Sequence, residues 1–109
     1  MSKDRLPKEA ERAIAKLRGE LKAHYPDAIA YLFGSYARGT WLEDSDLDIV
    51  VVSERFEGQP FVKRVAIVRQ LAPKDRPFEI LAYTPAEFRQ ALRRSVAIRD
   101  GRRYWHRIV

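Results

Sequence analysis

The run Leu47-Asp48-Ile49-Val50-Val51-Val52 constrains this chain more than any other stretch. Apolar residues without alternation mark a strand buried on both faces, so this one belongs in the middle of a sheet. It opens on an acidic pair. Side chains two apart on a strand share a face, so Asp46 and Asp48 project their carboxylates side by side at the strand's entrance. Carboxylates held that close repel, and one pKa rises unless something neutralises them. A hard divalent cation such as Mg²⁺ removes the conflict, because it prefers oxygen and is usually held by one or two carboxylates together with phosphate oxygens. An isolated Asp-x-Asp is more often an ordinary polar strand start, so the residues upstream decide between the two.

Ala28 to Phe33 reads as the preceding strand, and a Gly-Ser turn follows it. Gly34 permits an unusual backbone angle, Ser35 is suited to cap a short helix, and Gly39 closes that helix in a left-handed cap. A helix N-terminus offers free N–H groups and partial positive charge, a ready site for phosphate. Arg38, about one turn after Ser35, is placed to reach a triphosphate; a surface ion pair with Glu43 or Asp44 is the competing reading. Trp41 and Leu42 read as cover for the core.

Taken together, Gly34-Ser35, ten intervening residues and Asp46-x-Asp48 resemble the signature of the nucleotidyltransferase superfamily related to DNA polymerase beta. Gly34-Ser35-Tyr36-Ala37-Arg38-Gly39 followed by Ser45-Asp46-Leu47-Asp48 is similar to the fuller form in minimal nucleotidyltransferase proteins. The looser likeness runs from about Tyr31 to Phe88.

With 109 residues the chain is sized for a single domain, residues 1–109, with a real core. Hydrophobic residues make up 46%, which places it among globular rather than disordered chains. There is no cysteine, which rules out disulfides and thiolate metal sites and agrees with a cytoplasmic home. No apolar run approaches the ~20 residues of a membrane span. The net charge of +6 is unevenly spread. Residues 26–84 hold seven basic and nine acidic side chains, whereas residues 85–109 hold seven Arg against two acids. An acidic centre suits a cation site. The basic end suits a nucleoside triphosphate, an acidic partner, nucleic acid or plain solvation.

The remaining elements follow from spacing. Pro7 suits the first position of a helix whose Ala10, Ala13, Ile14, Leu17 and Leu21 form one apolar face, stopped by Tyr25-Pro26. Glu54 to Gln59 is a polar loop. Pro60 opens a helix with Phe61, Val65, Val68 and Leu71 facing inward, closed by Ala72-Pro73. Phe78 to Tyr83 is a third strand, with Glu79 its one acidic residue. A buried carboxylate needs a partner; an edge residue facing solvent does not. Thr84-Pro85-Ala86-Glu87 forms a capping box, and Phe88 and Leu92 continue that helix's apolar face. Asp100-Gly101 signals a turn, and Tyr104 to Val109 is a last strand or a partner-binding tail; Arg102, Arg103 and His106 are candidates for phosphate contact or a plainly solvated basic end.

The resemblance implies an α/β (α+β) fold, a small mixed sheet with helices mainly on one face. It implies transfer of AMP from ATP to a hydroxyl. Asp46 and Asp48 would hold two Mg²⁺ ions, and Gly34, Ser35 and Arg38 would position phosphates. Glu79 matches the place of a third carboxylate, usually Asp, that completes a metal site. Single-domain members resemble antitoxins whose partner is a HEPN-domain toxin modified on a tyrosine, in a homo- or hetero-oligomer. Two alternatives stand beside this: a non-enzymatic module that masks its partner, and a nucleic-acid binder using the basic end.

Overall fold

The computed structural model describes residues 6–109. Helix α1 (Lys8–His24) buries Ala10, Ala13, Ile14, Leu17 and Leu21, the five positions its periodicity marks. Pro7 stands at the cap rather than inside the helix, and the Tyr25 N–H donates to the Leu21 carbonyl where the helix stops. Strand β1 (Ile29–Phe33) leads through helix α2 (Gly34–Arg38) and a loop to strand β2 (Leu47–Val52). Helix α3 (Phe61–Leu71) connects β2 to strand β3 (Phe78–Tyr83). Helices α4 (Pro85–Arg94) and α5 (Val96–Gly101), then strand β4 (His106–Arg107), complete the chain.

The sheet order is β3-β2-β1-β4. β2 pairs antiparallel with β1 and parallel with β3, and β4 pairs antiparallel with β1. The strand that is apolar apart from Asp48 is thus interior, and the expected mixed α/β sheet is present. Strand alternation divides its side chains. Ala30, Leu32, Leu47, Ile49, Val51, Ile80 and Ala82 face the main core with α1 and Val68 of α3. Tyr31, Phe33, Asp48, Val50, Glu79, Leu81 and Tyr83 fall on the opposite face. That second face is not bare. The Trp105 ring lies 5.5 Å from Tyr31, 5.8 Å from Phe33 and 6.0 Å from Phe88 of α4, centroid to centroid, within the range of favourable aromatic packing. It therefore carries more cover than helices mainly on one face would give.

Several local expectations change. In α3 only Val68 of the four inward residues is fully buried; Phe61 is 41% exposed and rests against the Tyr83 ring. The buried centre of that helix is Arg64. Its guanidinium donates to the Gln59 and Ala82 carbonyls and pairs with Glu87, so the charge is satisfied where it lies while the stem packs as an apolar chain. The polar loop after β2 contains a short 3₁₀ turn at Glu54–Phe56 whose Phe56 is fully buried beside Tyr25. Trp41 stacks on Tyr36, but Leu42 is exposed. Asp100-Gly101 ends α5 instead of making a free turn, with Gly101 at an ordinary helical φ of −75°. The last strand is only two residues long, anchored by buried Ile108, whose N–H donates to the Ala30 carbonyl. The capping box of α4 forms in full: Thr84 Oγ1 accepts from the Glu87 N–H, and Glu87 Oε1 accepts from the Thr84 N–H.

Candidate active site

Antiparallel pairing sets Phe33, the last residue of β1, directly opposite Asp48 on β2. The chain must turn immediately beyond Phe33, and Gly34 turns it with φ +73°, in the left-handed region that favours glycine. A β-carbon at this position would run into the Asp48 carboxylate. The backbone of the Gly-Ser turn and the second aspartate therefore touch. Gly39 closes α2 at φ 78°, ψ 20°, as expected, with its N–H on the Ser35 carbonyl.

Ser35 does not cap this helix. The helix already starts at Gly34, Phe33 occupies the capping position without a side-chain bond, and the Ser35 hydroxyl has no protein partner among the described residues. The opening N–H groups of a helix have no acceptors within it. The Gly34 backbone at the opening of α2 thus shares one corner with Asp48, with Ser35 next along the chain.

Parallel pairing sets Glu79 of β3 directly opposite Asp48 on the same face. Asp48 is half-buried, and its carboxyl is pushed up to about 6, first by burial, then by the charge of Glu79 and a hydrogen bond with it, and last by the charge of Asp46. Asp46 is exposed just before β2. Glu79 is exposed too, because β3 is an edge strand and its buried positions are Phe78, Ile80 and Ala82. The expected burial of Glu79 is not found; the edge position is, with Asp48 as neighbour. Among the described residues no group of three His, Cys, Asp or Glu side chains converges so as to hold a metal ion by itself. Hard oxygens whose mutual repulsion a cation would relieve are nevertheless the donor set that suits Mg²⁺, which needs only one or two carboxylates when phosphates supply the rest.

Arg38 is exposed and makes no ion pair with Glu43 or Asp44. Its guanidinium carbon lies 4.8 Å from the centre of the Tyr104 ring, and that of Arg103 lies 4.9 Å from the same ring, both within cation–π range. Arg38 and Gly34 also border a cavity of about 200 Å³ on the second face, with Phe88, Tyr104 and Trp105 among its walls. Sequence patterns place Phe88 on a helix face and Tyr104 at a strand start, but single out neither Trp105 nor the meeting of the three rings. The available signal was the outward set Tyr31, Phe33 and Tyr83 at strand spacing, which needs apolar cover that only a later segment can supply.

Fold and corner define a class: a small mixed α/β domain with a carboxylate site at the entrance of its central strand and a glycine turn against it. The chain belongs to the nucleotidyltransferase domain family, whose model matches residues 14–104. It is 46% identical over 46 residues to a Methanocaldococcus jannaschii protein provisionally named a protein adenylyltransferase; the match covers 40% of this chain and 46% of that protein. The crystal structure of a Sulfolobus solfataricus protein provisionally called a nucleotidyltransferase superposes with a TM-score of 0.58 at 20% identity, over 80% of this chain and 83% of that one. The BolA domain of SufE1 from Arabidopsis thaliana superposes with a TM-score of 0.51 at 23% identity, over 76% and 99%. These two likenesses concern the fold alone, and a fold by itself does not carry a function.

Proposed function

We propose that the protein transfers AMP from ATP to a hydroxyl acceptor, a tyrosine of a HEPN-domain partner, with Mg²⁺ bound at Asp46, Asp48 and Glu79. The observation that carries this reading is the register pair Asp48–Glu79 set against the Gly34 turn. Family membership and the name of the archaeal relative support it. Bound there, two Mg²⁺ ions would supply charge stabilisation for the attacking and leaving oxygens. Asp46 and Asp48 hold the cations. The Gly34 backbone, the free Ser35 hydroxyl and Arg38 orient the β- and γ-phosphates. Glu79 completes the carboxylate set and takes the acceptor's proton as its oxygen bonds to the α-phosphorus and the bond to pyrophosphate breaks. Positioning and charge neutralisation account for most of the rate gain.

The test is incubation with α-labelled ATP, Mg²⁺ and a co-expressed HEPN-domain protein, read by intact mass spectrometry. Added AMP on the partner that disappears in the Asp46→Asn/Asp48→Asn double variant supports the reading. A stable, unmodified complex that the double variant forms equally well points instead to masking without catalysis.

A further inference from the structure

We propose that the aromatic cavity on the second sheet face is the nucleobase site, so that the nucleoside triphosphate binds folded back, its base beside its own phosphates. This rests on the nucleotidyl-transfer reading above.

Position is the first argument. Val50 follows Asp48 by two residues and Leu81 follows Glu79 by two, so both point the same way as the carboxylates, one step further into the sheet. Both line the cavity. Gly34, which touches Asp48, and Arg38 border it as well. The carboxylate corner and the aromatic cavity are therefore one continuous surface, hydrophilic at the strand entrance and apolar behind.

Size and chemistry are the second. About 200 Å³ falls below the roughly 300–1,000 Å³ of pockets that enclose a drug-sized ligand. It holds one flat ring system rather than a whole nucleotide. The walls are aromatic and aliphatic, from Phe33 and Phe88 to Ile98 and Trp105, with the Arg38–Tyr104 stack among them. A base needs faces to stack on, and such stacking strengthens binding by about 10- to 100-fold.

Stereochemistry separates the base from the acceptor. In an in-line displacement the acceptor oxygen approaches the α-phosphorus opposite the departing pyrophosphate. Gly34 and Arg38 belong to the pyrophosphate side in this reading. A cavity bordered by those two residues lies on the leaving side, from which the acceptor cannot attack. The nucleoside hangs from a non-reacting oxygen of the same phosphorus and is free to turn back along the triphosphate. The cavity suits the base and excludes the acceptor ring.

The experiment compares a non-hydrolysable ATP analogue with inorganic tripolyphosphate, both with Mg²⁺, by calorimetric titration of the full chain. The analogue should bind at least about 10-fold tighter. Ile98→Trp, which fills the cavity from a partly exposed wall, should bring the analogue down to the tripolyphosphate level and leave tripolyphosphate unchanged. A second measurement depends on no cavity variant: the analogue should quench Trp105 fluorescence and tripolyphosphate should not, with Trp105→Phe giving the Trp41 background. Equal affinity for the two ligands in the unaltered chain, or no Trp105 quench, overturns the base site while leaving nucleotidyl transfer standing. Failure of both ligands to bind overturns both readings.

Discussion

The α-carbon of Gly34 rests against the carboxylate of Asp48, leaving no space for a β-carbon between them. The contact arises because β1 ends opposite Asp48 and the chain turns there at φ +73°. Gly34→Ala faces two penalties. The left-handed backbone costs an alanine about 1–2 kcal/mol. The new methyl group meets a short side chain on a central strand that cannot shift, so the carboxylate must rotate away. Because a misplacement of about 1 Å at a reacting centre costs on the order of 100-fold, AMP transfer should drop by at least that factor while the melting temperature falls only modestly. Transfer at the unaltered rate, with the melting curve recorded alongside, would show that the glycine does not protect the position of Asp48.

The raised pKa of Asp48 makes stability depend on pH. Below about pH 4 the carboxyl is neutral in both folded and unfolded chains and contributes nothing. Between there and its folded value of about 6 the unfolded chain ionises first, which pulls the equilibrium toward unfolding, and above 6 the full cost stands. That displacement corresponds to about 3 kcal/mol, cut to about 1 by solvent screening of a half-exposed group. Asp48→Asn should therefore melt higher than the native chain at pH 7.5 and match it near pH 4. Added Mg²⁺ should stabilise the native chain at pH 7.5 and leave the asparagine variant unmoved. Melting curves at the two pH values, with and without the cation, check each part.

Glu79 stands on an edge strand with its side chain exposed, so replacing it should hardly touch the fold. A surface substitution of this kind is usually within about 0.5 kcal/mol. Its place opposite Asp48 matters for the proposed transfer instead. Glu79→Gln should lower kcat by about 100-fold or more, the range for loss of a positioned proton acceptor, and should raise the Mg²⁺ concentration needed for half-maximal rate. Glu79→Asp should recover part of both, since it restores the charge with a shorter reach. A glutamine variant with native kcat and native Mg²⁺ dependence would remove Glu79 from the site.

How much of this was legible in the sequence follows from how local each cause is. The α1 face, the boundaries of β2 and β3, the Gly39 cap and the Thr84–Glu87 box depend on neighbours in the chain, and the structure has them as read. The contact of Gly34 with Asp48 and the pairing of Asp48 with Glu79 depend on strand register, which no short pattern states; the residues were legible, their touching was not. The Glu79 run left two readings, a buried carboxylate with a partner or an edge residue facing solvent, and only the sheet order, which puts β3 at the edge, decides for the second. Arg64 was missed because a buried arginine is possible only when distant groups satisfy it, here Gln59, Ala82 and Glu87. The aromatic cavity was missed for a similar reason, since Phe33 and Trp105 are 72 positions apart in sequence and meet only across the second sheet face.

Arg64 and Glu87 join three elements through one ion pair. The guanidinium reaches from α3 to the Ala82 carbonyl of β3 and to the Glu87 carboxylate of α4, and the hydrogen bond from Arg64 holds that carboxyl below the usual carboxylate range. Glu87 is about half exposed whereas the Arg64 side chain is only 7% exposed, so the two ends of the pair are not equivalent. Removing the acid strands a buried cation, which costs about 3–5 kcal/mol where the pair is fully buried and nearer 2 kcal/mol with one end in water. Glu87→Ala also loses the capping bond to the Thr84 N–H. Arg64→Met keeps the apolar stem and removes the charge, leaving an exposed carboxylate that water can solvate. Glu87→Ala should therefore destabilise the fold clearly more than Arg64→Met, and the double variant should be no worse than Glu87→Ala alone. Urea denaturation of the three variants measures that ordering, and equal losses in the two single variants would mean that the pair contributes only packing.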